Sequence, residues 1–168
     1  MRVSAKADYA VRAAAELAAA AGAKTSRPLK RDQISAAQKI PSKFLETIML
    51  ELKHAGIVKS TRGAEGGYAL ARPAADISVA DVIRAVDGPL ANVRGERVET
   101  VEYAGHARAL RDVWVAVRAS LRRVLETTSL QDLVDDHLPD SVRELTADPE
   151  AWISLNRRRR TPTDSETG

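Results

Sequence analysis

The 168-residue chain contains no cysteine. Disulfides, thiolate nucleophiles and cysteine-held iron–sulfur or zinc sites are therefore excluded. Aromatic residues make up only 4%, with a single phenylalanine and two tryptophans. A core of that composition is aliphatic and alanine-rich, which favours helices. The three histidines, His54, His106 and His137, are too far apart to form a paired metal-ligand motif. They read as surface or helix-end residues. No apolar run approaches the ~20 residues that span a bilayer. The opening Met1-Arg2-Val3-Ser4-Ala5-Lys6 leads into an amphipathic stretch without the apolar centre of a signal peptide, so a cytoplasmic location and no membrane partner are expected. No Ser/His/Asp set with recognisable spacing is present. The run Gly63-Ala64-Glu65-Gly66-Gly67 lacks the Lys-Ser/Thr ending of a phosphate-cradling loop. No enzymatic role is expected.

Hydrophobic residues make up 44% and charged residues 29% of the chain. That is enough for one ordinary core, or for a small domain with an added dimerisation element. The net charge of +3 hides an asymmetry. Residues 1–72 hold 13 lysines and arginines against six acids, whereas residues 73–168 hold 13 against 17. The basic half is the candidate nucleic-acid face.

Periodicity predicts a first helix, capped by Ser4 and running to about Ala21, with Tyr9, Ala10, Ala13, Leu17 and Ala20 along one stripe. Residues 22–29 read as a loop. A short helix over about 30–37, centred on Ile34, precedes a turn at Lys39-Ile40-Pro41-Ser42. The next helix, about 41–54, has apolar positions Leu45, Ile48, Met49 and Leu52, and Gly56 ends it. Ile57–Thr61 and Tyr68–Ala71 are strand-like runs about a glycine-rich turn, which makes a β-hairpin. Two short helices followed by a hairpin form a winged helix-turn-helix. A further helix over 77–87 is capped by Ser78 and closed by Gly88-Pro89. Residues 90–105 lack clear periodicity and read as an exposed loop with room for local structure. A long helix over about 107–126 carries Leu110, Val113, Trp114, Val117, Leu121, Val124 and Leu125 on one seam, suited to a second copy of the chain, with packing inside its own chain as the plainer alternative. A last short helix begins at Thr128-Ser129-Leu130. The segment 138–168, with its Arg157–Arg160 run, reads as a partly disordered tail.

A helix that enters the major groove presents short or polar side chains near its N-terminus. Ser42, Lys43, Glu46 and Thr47 stand there. Lys43 suits a phosphate or a guanine edge, and Thr47 a phosphate or a thymine methyl. Glu46 either accepts from a cytosine amino group or lies off the interface, because phosphates repel a carboxylate. On the hairpin, Lys59, Ser60, Thr61 and Arg62 precede Gly63. Arg62 suits a narrow minor groove; the plainer alternative for Lys59 and Arg62 is solvated hairpin charge.

Several segments carry a resemblance. They are Met1–Ala13, Ile40-Pro41-Ser42-Lys43-Phe44-Leu45-Glu46, Leu52–Val58, Ser60–Ala71, Ile77–Ile83 and Thr128–Val134. Together, over residues 1–136, they resemble the IscR/NsrR/CymR family of Rrf-type bacterial regulators. The resemblance implies a homodimer with a long crossing helix that binds palindromic double-stranded DNA, usually as a repressor. It implies that Lys43, Glu46 and Thr47 face bases and that Arg62 enters the minor groove. It further implies that Tyr9 and the Arg2–Lys6 segment support the helices and contact the backbone. Iron–sulfur members hold three cysteines before the long helix, where residues 90–103 of this chain have none. Register places Arg108 at the last cysteine and Arg111 at a histidine ligand of some members, so His106 inherits no ligand role. The chain is therefore similar to the cluster-free members, with no cofactor expected. Some of those act in cysteine and sulfur metabolism through a small-molecule or protein effector.

The expected architecture is mostly α with a small β-hairpin wing. Residues 1–88 form the winged helix-turn-helix, 89–106 a loop region, 107–137 the dimerisation helix with a short helix, and 138–168 the tail. Two rival functions are a metal or redox sensor with non-cysteine ligands, and an interaction module that binds a metabolic enzyme through the long helix.

Overall fold

The computed structural model describes residues 3–24, 26–63 and 65–153. The chain is mostly helical, and its centre is α1 (Ala5–Gly22). The Ser4 hydroxyl caps this helix by accepting from the Ala7 amide at 2.9 Å. Its inner face is Ala7, Ala10, Ala13, Ala14, Leu17 and Ala18, all buried. Such small side chains let other helices approach closely on several sides. α2 (Arg31–Gln38), α3 (Ser42–His54) and α4 (Val79–Asp87) all pack on it. Ile34 from α2 and Leu45, Ile48, Met49 and Leu52 from α3 fill the space between.

The wing is an antiparallel hairpin, β1 (Val58–Thr61) and β2 (Gly67–Leu70), in the register Val58↔Leu70, Lys59↔Ala69, Ser60↔Tyr68 and Thr61↔Gly67. Part of the 22–29 loop joins it. Leu29 bridges Tyr68 through two backbone hydrogen bonds of 2.8 Å. This close approach explains the glycine beside it, because a Cβ on Gly67 would lie 2.5 Å from the Leu29 carbonyl oxygen.

Residues after the winged region are drawn back into it. α5 (Leu110–Leu125) leads to α6 (Leu130–Val134). Backbone bonds of 2.9 Å, Val79 to Thr128 and Leu130 to Ile77, tie the start of α6 to the start of α4. Leu130 is fully buried in the same core as α1. Thus α6, grouped by sequence with the long helix, packs with the first domain.

Two further segments carry structure of their own. Residues 90–105 are not exposed throughout. They form a small hairpin, β3 (Asn92–Val93) with β4 (Glu96–Arg97), turned by Arg94 and Gly95, both at positive φ. Val98 and Val101 behind it are buried. The run after Pro139 carries α7 (Asp140–Thr146), which packs on α5, and a 3-10 turn over Pro149–Trp152. The Arg157–Arg160 run lies outside the described residues.

Candidate nucleic-acid interface

α3 is amphipathic for a physical reason: its four apolar positions point at α1, so the rest must face water. Ser42, Lys43, Glu46 and Thr47 are all exposed. Two apolar side chains share that outward surface, Phe44 at 51% and Leu50 at 53% exposure. Neither stands out in the sequence, where both fit an amphipathic pattern.

The neighbours of this helix hold its charges. Glu46 lies 3.5 Å from the Arg31 guanidinium of α2. That cation offsets the repulsion a lone carboxylate meets beside phosphates. Tyr9 is half-buried, packs edge-on against Phe44 with ring centres 6.0 Å apart, and lies under the Arg12 guanidinium at 5.5 Å. Lys6 pairs with Glu51 of α3 at 3.2 Å. Both residues therefore brace α3 against α1. Arg2 lies outside the described residues. On the wing, Lys59, Thr61, Arg62 and Gly63 are exposed, and Arg62 follows the end of β1.

Strand alternation gives the wing two faces. Lys59 and Thr61 turn one way. Val58, Ser60, Tyr68 and Leu70 turn the other, toward α3. At the base of the hairpin this inner face is apolar and buried, with Val58 and Leu70. Further out it changes to hydroxyls, Ser60 and Tyr68. There it borders a cleft of about 400 Å³ whose other wall is Glu46, Thr47, Leu50 and Lys53 of α3. Of these residues, the sequence had not singled out Leu50, Lys53 or Tyr68.

The long helix presents a different surface. No residue of α5 is fully buried, and Val113 is 51% exposed. Leu110, Trp114, Val117, Leu121, Val124 and Leu125 are half-covered. Its base is joined to α4 by the ion pair of Glu126 with Arg84, and Arg122, one turn back on α5 itself, pairs with the same carboxylate at 2.9 Å. Hydrogen bonds from Arg84 and then Arg122 hold the Glu126 carboxyl below the usual glutamate range. Higher up, Trp114 donates to the Tyr103 hydroxyl at 3.0 Å and Arg118 pairs with Glu99. These contacts fasten residues 98–103 to α5. Between α1, α4, residues 89–92 and α5 lies a cavity of about 440 Å³, with Leu121 and Leu125 on one side and Ser4 and Asp87 on another.

Among the described residues no helix is long and apolar enough to cross a membrane. No group of three histidine, aspartate or glutamate side chains among them is placed to hold a metal ion.

Comparison with known proteins agrees with this geometry. Residues 3–136 match the Rrf2 family model, described as an iron-dependent transcriptional regulator. The chain is 50% identical over 154 residues to the protein Rv1287 of Mycobacterium tuberculosis, classed as an HTH-type transcriptional regulator, covering 92% of this chain and 94% of that one. It is 34% identical over 133 residues to the regulator CymR of Bacillus subtilis, covering 79% and 89%. Among solved structures, CymR, the global cysteine regulator of B. subtilis, superimposes with a TM-score of 0.69 at 31% identity, over 81% of this chain and 98% of that one. IscR of T. potens gives 0.65 at 31% identity, over 92% and 93%. A winged helix-turn-helix built on an alanine-faced first helix, matched along this length, makes the chain a member of the Rrf2 family of transcriptional regulators.

Proposed function

We propose that the protein is a cytoplasmic homodimer that represses transcription by holding a palindromic DNA operator, without an iron–sulfur cluster. The observation that carries this reading is the pairing of two surfaces on one chain. One is the exposed polar face of α3 beside a wing bearing Arg62. The other is α5, an amphipathic helix whose apolar seam its own chain leaves without one fully buried residue.

In a two-fold dimer joined along Leu110, Val113, Trp114, Val117, Leu121, Val124 and Leu125, the two α3 helices enter successive major grooves on one side of the duplex. Ser42, Lys43, Glu46 and Thr47 face base edges and phosphates. Lys59 lies along the backbone, and Arg62, carried by Gly63, enters the minor groove. Tyr9 and Lys6 keep α3 at the right angle.

The residues in the place of a cluster do not fit one. The chain has no thiol, and Glu99 and Tyr103 in that segment are bonded to Arg118 and Trp114. The signal enters instead at the cavity between the winged domain and α5. An effector bound there favours one spacing of the two α3 helices over another. The likeness to CymR supports operators beside genes of cysteine and sulfur metabolism.

The test is fluorescence anisotropy with the DNA upstream of the protein's own coding region and with a scrambled duplex. Nanomolar binding to the first, at least about a thousandfold weaker on the second, supports operator recognition. Equal affinity for the two duplexes, or binding indifferent to salt, sinks it.

A further inference from the structure

We propose that the cleft between α3 and the wing is a phosphodiester site, in which Lys53, Ser60 and Tyr68 seat one phosphate of the DNA strand that separates the major from the minor groove. This rests on the DNA-binding reading above and adds to it where the backbone is gripped.

The argument starts from the hairpin. Its inner face is committed to the core at Val58 and Leu70, both buried. One step outward, the same face carries Ser60 and Tyr68 directly opposite each other. Apolar side chains at those two positions would extend the core between wing and helix. Tyr68 packs partly against the core, but both positions carry hydroxyls and the space beyond remains open, at about 400 Å³. The backbone of Tyr68 is clamped on both sides, by Ser60 across the hairpin and by Leu29. Its ring therefore enters the cleft from a fixed base. Lys53, exposed near the end of α3, supplies the positive charge from the opposite wall, and no ion pair among the described residues engages it.

The chemistry of that lining matches a phosphodiester: the Lys53 ammonium and the hydroxyls of Ser60 and Tyr68 suit an anionic oxygen pair, with the Thr47 hydroxyl beside them and Met49 and Leu50 as an apolar wall. Glu46 is the one acid on the rim, and Arg31 holds it at 3.5 Å. The location agrees with the occupant. α3 lies on one side of the cleft and the wing on the other, so a duplex read by both places the intervening strand between them.

The experiment measures duplex affinity against salt for the full chain and for Lys53→Gln, Tyr68→Phe and Ser60→Ala. A phosphate contact carries no sequence information, so losses must be equal on operator and scrambled DNA. Lys53→Gln is expected to weaken both about three- to tenfold and to lower the slope of log affinity against log salt by ~0.9. Tyr68→Phe is expected to weaken both by a similar factor with the slope unchanged, because it removes a donor and no charge. A duplex with single neutral methylphosphonate linkages, walked along each strand, supplies the second readout. One linkage should cost the wild type several-fold and cost Lys53→Gln nothing. If all three variants retain wild-type affinity and slope, or if every linkage costs Lys53→Gln as much as it costs the wild type, the cleft holds no phosphate. If the wild type binds no duplex at all, the DNA reading itself has failed.

Discussion

At the scale of single residues, the interface depends on charges being held by neighbours. On the DNA-binding reading proposed above, Glu46 faces a surface rich in phosphates, and the Arg31 guanidinium at 3.5 Å offsets its charge. Replacing Glu46 by Ala is expected to raise affinity for scrambled duplex about twofold, since a carboxylate near phosphates is removed. The same change should relax discrimination at one base pair by ~1–3 kcal/mol. Titrating the variant against an operator set with single base-pair changes tests this, and unaltered discrimination would remove Glu46 from the reading surface. The Arg31 pairing was not legible in the sequence, because nothing in a linear pattern says which cation on α2 reaches which acid on α3. The polar run Ser42-Lys43-Glu46-Thr47 was legible, because a helix with a buried stripe must expose the remainder. Phe44 and Leu50 went unmarked because an apolar residue beside the stripe reads as part of its edge, and the pattern does not say how far the covered face extends.

At the scale of elements, the joints deserve the closest tests. Leu130 seats α6 in the core of the winged domain, so Leu130→Ala is expected to lower unfolding free energy by ~2–5 kcal/mol, read from urea denaturation. Were α6 merely an appendage of the long helix, the loss would be far smaller. The base of α5 is fastened to α4 by Glu126 with Arg84, while Arg122 of α5 shares the same carboxylate. Hydrogen bonds from those arginines hold the Glu126 carboxyl below its ordinary value of 4.5. A carboxyl lowered in the fold contributes stability that is complete above 4.5 and is lost as pH falls through the lower folded value. Melting temperature should therefore drop more steeply below about pH 4.5 in the wild type than in Glu126→Gln. Parallel curves for the two proteins would show that the pair does not matter. The α5 periodicity was plain from sequence. The fastening was not, since it joins residues 42 positions apart.

At the scale of the whole molecule, the proposed dimer makes the sharpest demand. Val113 is 51% exposed in the single chain, so a charge there leaves the fold of one protomer intact while opposing a second. Val113→Glu is expected to sediment at 18.2 kDa rather than twice that mass. Operator affinity should fall about a hundredfold or more, because two half-sites are no longer engaged together. An unchanged dimer mass would place the interface elsewhere.

The amino-acid sequence by itself determined the sequence of helices and wing, the family likeness, the polar face of α3 and the impossibility of a thiolate-held cluster. Those follow from local periodicity, capping and turn chemistry, and from residue types that are present or missing. Only the tertiary structure decided that Leu29 joins the wing, that Val98 and Val101 are buried, that α6 belongs to the first domain and that α7 forms beyond Pro139. Each of these is a pairing between residues distant in the chain, or a short segment whose stability comes from what it packs against rather than from its own pattern. The cleft of Lys53, Ser60 and Tyr68 is of the same kind: α3 and the wing each look ordinary alone, and only their packing sets these three residues around one space.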